Sequence, residues 1–281
     1  VVFGCTKEPL IDLDTLGDGG WRTNQGGRIE AAGDVNGDGL ADALVHYGSS
    51  STVVFGARSK AGKDGRWLFE AFNVHGIGDL NGDGFDDLAA AFPSSVDHKV
   101  YVVFGRRKHA TMSAKQIRSS QMPITRIDYE SIPESFSAAG DVNGDGLDDL
   151  LLGTTMYARG PGAFVVLGRK RPGPVNLDRM RGAGWRIVEQ QPSNSSYTSY
   201  LTLGSADVNG DGFDDVLLND PYDDRGIVVF GKPDSREVSL DAFKGKGFFL
   251  KSFGYDTLSR FGDVNGDGSG DLVHGRPSPI D

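Results

Sequence analysis

The sequence predicts an all-β fold: a five-bladed β-propeller of four-stranded antiparallel blades, one domain over residues 1–281, with a closing blade shared by the N- and C-termini. Three observations predict it. An acidic, glycine-rich stretch occurs five times, as GDVNGDGLAD (Gly33–Asp42), GDLNGDGFDD (Gly78–Asp87), GDVNGDGLDD (Gly140–Asp149), ADVNGDGFDD (Ala206–Asp215) and GDVNGDGSGD (Gly262–Asp271). A β-branched run ending in glycine alternates with it: VVFG at Val1–Gly4, Val53–Gly56, Val102–Gly105 and Val228–Gly231, and VVLG at Val165–Gly168. Continuous helical periodicity is absent between them, and four short strands per repeat at a period of about 40–60 residues describe propeller blades.

Each strand of the repeat has its own signal. A short run such as SFSAAG or YLTLGSA precedes the acidic loop and reads as strand A. The apolar run after the loop (DALVH, DLAAAF, DLLLG, DVLLN, DLVHG) reads as strand B. The VVFG run is strand C, because β-branched residues suit a pleated surface and the glycine ends the strand. Strand D is marked by GGWRTN, RWLFEAF, ITRIDY, GWRIVE and GFFLKSF. The acidic loop therefore joins A to B. Trp21, Trp67 and Trp185 recur in strand D, with Phe248 in the corresponding place, and are expected to pack blade against blade.

Loop spacing sets the blade count. The first loop aspartates stand at 34, 79, 141, 207 and 263, at intervals of 45, 62, 66 and 56 residues. The chain opens on strands C and D of a blade and ends on strands A and B of one. Joining these halves removes two open sheet edges, which would otherwise template aggregation. Ser269, standing where the other loops have Leu or Phe, predicts a weaker closing blade.

The loop is chemically a cation site. Counting from its first Asp, side-chain oxygens fall at positions 1, 3, 5 and 9, and the carbonyl of position 7 would complete the cage with water. The five sets are Asp34, Asn36, Asp38, Leu40 and Asp42; Asp79, Asn81, Asp83, Phe85 and Asp87; Asp141, Asn143, Asp145, Leu147 and Asp149; Asp207, Asn209, Asp211, Phe213 and Asp215; and Asp263, Asn265, Asp267, Ser269 and Asp271. Such hard oxygen donors suit Ca²⁺ over metals that seek thiolate or imidazole. Glycines at positions 4 and 6 let the backbone curl around the ion. An EF-hand needs a bidentate Glu at position 12; Val45, Ala90, Leu152, Leu218 and His274 stand there, so that motif is rejected. Position 8 varies while position 9 is always Asp, which assigns the ligand to position 9. The competing reading, an Asn-Gly or Asp-Gly turn repeated for hairpin geometry, requires no distant Asp.

Charge and composition agree. The formal charge is −10, which five divalent ions would cancel. A negative chain argues against nonspecific nucleic-acid binding. No apolar run is long enough to span a bilayer, so direct membrane insertion is not expected. No signal peptide is visible, and a chain opening on VVFG reads as processed. The lone cysteine, Cys5, permits no internal disulfide.

GDVNGDGLDDLLLG with FVVLG, and GDLNGDGFDDLAAAFP with YVVFG, resemble FG-GAP repeats, as in integrin α-subunit propellers and many secreted bacterial proteins. The Gly-Ala-Pro half is reduced here to AAAFP, LNDP and HGRP. Integrin propellers have seven blades with calcium loops in only some, whereas every repeat here carries one. The resemblance implies a calcium-stabilised propeller for adhesion or ligand recognition, without defining the ligand.

The ions are expected to be structural, holding each A–B hairpin in register. The weak affinity typical of extracellular calcium modules suits a secreted or cell-surface protein. Alternating strand directions place A–B and C–D loops on one face. Basic residues after the VVFG strands lie there, among them Arg106, Arg107, Lys108, Arg169, Lys170, Arg171, Lys232 and Arg236. They read either as solvated charges balancing the loop aspartates or as a surface for an anionic glycan or acidic partner. On the opposite face Tyr157, Arg159, Tyr197, Tyr200, Tyr222, Asp223, Asp224, Arg225 and Tyr255 are candidates for glycan or protein recognition. The five His show no metal-ligand spacing. Catalysis is not expected: no Ser-His-Asp signature or phosphate loop is present, and adjacent Asp223 and Asp224 should diverge rather than face each other as a glycosidase pair. The alternatives are a non-catalytic propeller of a larger secreted enzyme and a polysaccharide-active enzyme.

Overall fold

The computed structural model describes residues 28–275 apart from 49, 57–65, 72, 93–98, 109–110, 120–121, 126–132, 157–159, 190–197, 222 and 252–256. It is an all-β propeller. Blade one comprises β1 (Arg28–Gly33), β2 (Asp42–Tyr47), β3 (Ser50–Val54) and β4 (Arg66–Phe69). Blade two comprises β5 (Asn73–Gly78), β6 (Asp87–Ala91), β7 (Lys99–Val103) and β8 (Met122–Thr125), with a short helix α1 (Ala114–Arg118) between its last two strands. In blade three β9 (Pro133–Gly140), β10 (Asp149–Met156) and β11 (Gly160–Val166) precede the two-residue β12 (Val175–Asn176), which lies parallel beside β8 of blade two, and then β13 (Gly184–Glu189). A further two-residue strand, β14 (Thr198–Ser199), pairs with the end of β10. Blade four comprises β15 (Leu201–Ala206), β16 (Asp215–Asp220) and β17 (Arg225–Val229), then β18 (Val238–Ser239) lying parallel to β13, and finally β19 (Gly247–Lys251). Sequential strands within each blade run antiparallel, in the A–B–C–D order read from the repeat.

The blade count departs from expectation. Four blades are formed, not five. The fifth acidic loop joins only a two-stranded hairpin, β20 (Thr257–Gly262) and β21 (Asp271–Gly275). Counting acidic loops counts A–B hairpins, whereas a blade also needs strands C and D. None is hydrogen-bonded to β21 among the described residues. Accordingly Val264 is 64% exposed, although its counterparts Val35, Leu80 and Val142 are fully buried and Val208 is partly buried. The segments proposed to complete this sector, Val1–Gly4 and Gly19–Asn24, lie outside the described residues.

Period-two alternation builds the core between blades rather than within them. In β6, Leu88 and Ala90 pack towards blade one and Ala89 towards blade three. Next, Leu150 and Leu152 of β10 pack back on blade two while Leu151 faces blade four. Val216 and Leu218 of β16 return to blade three and Leu217 turns to the β20–β21 side, where Leu272 joins it. B strands are thus buried on both faces and read as unbroken apolar runs. The A strands make the innermost ring, with β1 against β5, β5 against β9, β9 against β15 and β15 against β20. Trp185 packs in the core shared by blades three and four, as expected of strand D.

Candidate functional site

The five acidic loops fold alike, and the second shows the plan. Asp79 at position 1 turns its carboxylate into the loop: Oδ1 accepts from the N–H groups of Gly82 (2.7 Å) and Asp83 (3.1 Å), and Oδ2 from Gly84 (2.8 Å). Asn81 at position 3 accepts from Asp83 N–H at 2.8 Å and donates its amide to Asp83 Oδ2 at 3.1 Å. The glycines at positions 4 and 6 sit at φ +72° and +85°, the left-handed region a side chain resists. Loops three, four and five repeat this pattern around Asp141, Asp207 and Asp263, and loop one keeps its main bonds around Asp34. The expected side-chain donors at positions 1, 3 and 5 are therefore brought into one small loop in every copy.

Position 9 has a task that spacing alone did not disclose. Asp87 accepts one bond from Leu80 N–H (3.1 Å) at the start of its loop and another from Gly105 N–H (2.9 Å) at the end of the VVFG strand. Asp149 does the same with Val142 and Gly168, Asp215 with Val208 and Gly231, and Asp42 with Val35 and Gly56. This buried carboxylate ties the loop to the third strand, so its invariance has a structural cause beside any ligand role. Both oxygens keep lone pairs for a cation. Asp87, Asp149 and Asp215 are completely buried. Burial, only partly offset by the backbone donors and reinforced by the aspartates at positions 1 and 5, pushes their pKa values up to about 8, 8 and 6; Asp42 reaches about 7. Neutral donors alone hold these charges poorly. A hard divalent cation among the same oxygens fits the donor set and removes the penalty.

Positions 7 and 8 join blades. Asp86 N–H donates to the carbonyl of Asp34 in the preceding loop at 3.1 Å, and its carboxylate accepts from Asp34 N–H at 2.6 Å. Asp148 with Asp79 and Asp214 with Asp141 repeat the two-way clasp. Residue size is matched across it. A Cβ on Gly33, Gly78 or Gly140 would collide with the carboxylate of Asp86, Asp148 or Asp214. Where the fourth loop instead begins with Ala206, the facing residue is Gly270, and only the backbone bond to Asp207 remains, at 2.6 Å. At position 7, Phe85, Leu147 and Phe213 lie over Gly37, Gly82 and Gly144 of the neighbouring loop, and Ser269 covers Gly210 with only its hydroxyl. Both contacts are reduced at the fifth loop, the weakness Ser269 predicted.

On the opposite face the structure gathers some of the nominated residues into a buried network. Tyr200 is 2% exposed and donates its hydroxyl to Glu189 Oε2 at 2.7 Å. Arg225 lies among Glu189 (2.5 Å), Asp220 (3.0 Å) and Asp223 (3.3 Å), three carboxylates whose oxygens approach within 4.8 Å of one another. Burial opposes the Arg225 charge, but Glu189, Tyr200 and Asp220 hold its pKa above the ordinary value. Burial raises the Asp220 pKa against the pull of Arg225. Tyr200, Asp223 and Arg225 are thus spent inside the protein. Asp224 is exposed, at φ +52°. Tyr157, Arg159, Tyr197, Tyr222 and Tyr255 lie outside the described residues. Glu189 was not anticipated, because it stands on strand D of blade three, far in sequence from the residues it joins.

A second convergence was equally hidden. Glu30 of β1 meets His75 of β5 at 2.7 Å and His46 of β2 at 3.7 Å. Burial holds the His46 pKa below its usual value despite the carboxylate.

Comparison with known proteins agrees with the geometry. Residues 79–152, which span the second and third acidic loops, match the FG-GAP-like repeat family. The chain is similar to integrin alpha pat-2 of Caenorhabditis briggsae, 31% identical over 159 residues that make 50% of this chain and 12% of that protein. It is 28% identical over 187 residues to integrin alpha-7 of Mus musculus, covering 64% and 15%, and 30% identical over 156 residues to integrin alpha-PS2 of Drosophila melanogaster, covering 49% and 10%. The matches thus take in only a small part of each relative's length. Among the described residues no helix is long and apolar enough to cross a membrane.

Proposed function

We propose, from the premise that this chain is an FG-GAP-repeat, integrin-α-like β-propeller, that it is an extracellular ligand-binding or adhesion module stabilised by calcium and without catalytic activity of its own. The observation that carries the reading is the position-9 aspartate of the first four loops, Asp42, Asp87, Asp149 and Asp215: buried carboxylates, each held by backbone N–H groups and crowded by two further aspartates of the same loop. In each loop Ca²⁺ would be held by the side chains at positions 1, 3, 5 and 9 and the carbonyl of position 7. It would neutralise carboxylates that otherwise repel one another. Because positions 7 and 8 of the same loop grip the preceding blade, fixing the loop also fixes the junction between blades. The ion's binding free energy then adds to the stability of the folded ring.

The ligand, a glycan or another protein, would bind a rigid surface, since the strands move little once the loops are pinned. The integrin relatives support a non-enzymatic role, and the convergent carboxylates Glu189, Asp220 and Asp223 are engaged by Arg225. Millimolar calcium outside the cell suits loops of this open kind. Thermal melting in calcium and in EGTA tests the proposal: a large fall in Tm on chelation is expected, and an unchanged Tm would remove the structural role of the ion.

A further inference from the structure

Two adjoining cavities open in blade three, one of about 380 Å³ and one of about 360 Å³. Arg179, Met180, Arg181 and Gly182 line both. The second also has Arg169 in its wall and Asp145 of the third acidic loop at its edge, so the pair lies on the face that carries the loops. The first is walled by Trp185 and also has Asp178 and the Arg186–Glu237 pair in its lining.

Three features set this groove apart from ordinary solvated charge. Among the described residues Arg169 has its Nε buried without an acceptor, and the guanidinium is held by Nη2 donating to the Gly173 carbonyl at 3.3 Å. Its own burial lowers the Arg169 pKa. Trp185, 2% exposed, carries a second buried donor without an acceptor, its indole N–H. Among the described residues Arg169, Arg179 and Arg181 are in no ion pair, while nearby Arg186 is paired with Glu237 at 2.7 Å and Lys232 with Asp234 at 2.7 Å. Asp145 already accepts from Leu147 N–H and the Asn143 amide.

The repeat supplies an internal control. The corresponding segment of blade four, LDAFKGKGF (240–248), forms the same short 3-10 turn and strand as LDRMRGAGW (177–185). It has Ala242 for Arg179, Lys244 for Arg181 and Phe248 for Trp185. The arginines at 179 and 181 are not repeated in blade four, so the fold does not require them, whereas a strand-D tryptophan recurs at Trp21 and Trp67. Arg181 also holds φ +44°, a left-handed conformation that is unfavourable for a long side chain, where Lys244 does not. Strain of this kind is characteristic of functional positions.

We infer that the Arg169–Arg179–Arg181 groove with Trp185 is a binding site for an anionic saccharide, its sulfate or carboxylate oxygens accepting from the three guanidinium groups and the indole. The cavities have the size of small-ligand sites. Fork-shaped donors match such oxyanions with charge-assisted bonds. A rigid sugar with spaced oxyanions fits two shallow lobes better than a flexible acidic peptide, which would have to be ordered on binding.

This inference rests on the ligand-binding reading of the propeller, and its test separates the two. Titration calorimetry in calcium would compare a sulfated heparin oligosaccharide, an oligogalacturonate and a poly-glutamate peptide, using the full chain and two variants: Arg179→Ala with Arg181→Asn, and Trp185→Phe. The arginines are exposed and Asn tolerates the left-handed backbone, so the arginine variant should keep the wild-type Tm; Trp185→Phe trims a core side chain and should lower Tm modestly, so its binding is measured well below that Tm. The expected result is binding of at least one saccharide, weakened about tenfold or more in the arginine variant and less in Trp185→Phe, with the affinity falling as salt rises. Which saccharide binds distinguishes sulfate from carboxylate. Undiminished binding in the arginine variant, preference for poly-glutamate, or no binding of either saccharide would overturn the inference. The calcium-dependent Tm of the same samples reports on the propeller reading independently.

Discussion

Asp148 accepts a hydrogen bond from the backbone N–H of Asp79, one blade away, at 2.8 Å, and returns one from its own N–H to the Asp79 carbonyl at 3.2 Å. A side chain that varies in sequence from loop to loop is thus the latch between neighbouring blades. Gly78 must lack a Cβ because the Asp148 carboxylate occupies that space.

That latch predicts a coupled pair. Asp148→Gly leaves the Asp79 N–H without its acceptor and should cost about 1–3 kcal/mol. Gly78→Ala should cost at least as much, through collision and its φ of +75°. The double variant imitates the natural Ala206/Gly270 pair and should be less destabilised than the sum of the singles. Chemical denaturation of all four proteins gives the coupling energy; strict additivity would show that the two residues do not share one contact.

Arg225 predicts a larger loss. Replacing it with Met leaves Glu189, Asp220 and Asp223 buried around no positive charge, and should destabilise by about 3–5 kcal/mol. The loss should shrink as pH falls and the carboxyls take up protons. Denaturation at two pH values checks both statements, and a variant as stable as wild type would show that solvent reaches the cluster.

The buried position-9 aspartates set the pH dependence of the calcium-free protein. Their folded pKa values, about 6 to 8, lie above the ordinary carboxylate value. Between those limits the folded state holds protons that the unfolded chain releases, so stability in EGTA should fall as pH rises from about 4 to 8. Calcium replaces those protons, and its stabilising effect should grow over the same interval. Tm measured against pH with and without EGTA should therefore give diverging curves.

The fifth loop offers a gain. Ser269→Leu would place over Gly210 the kind of side chain that Leu147 places over Gly82. Filling this contact should add about 0.5–2 kcal/mol, read as a rise in Tm. No change would mean that the β20–β21 hairpin unfolds separately from the four blades.

The local chemistry was legible in the chain. Asp141, Gly144 and Gly146 announce a tight oxygen-lined loop, Val165–Gly168 announces a strand and its end, and their alternation announces repeated small sheets, because turn conformation and strand propensity are properties of neighbouring residues. The single-residue register of Leu150, Leu151 and Leu152 was implicit in period two, but which blade each would face was not. Tertiary structure decided what depends on residues far apart. It made four blades of five loops, since a loop specifies one hairpin and says nothing of the strands that must pair beside it. It also turned Asp148 into a latch, buried Tyr200 against Glu189, and brought Arg169, Arg179 and Arg181 to one groove. The latch and the Tyr200–Glu189 contact depend on residues that only the folded sheets bring together, and the arginine groove on how one connection of blade three folds back on its own sheet, so no spacing along the chain encodes them.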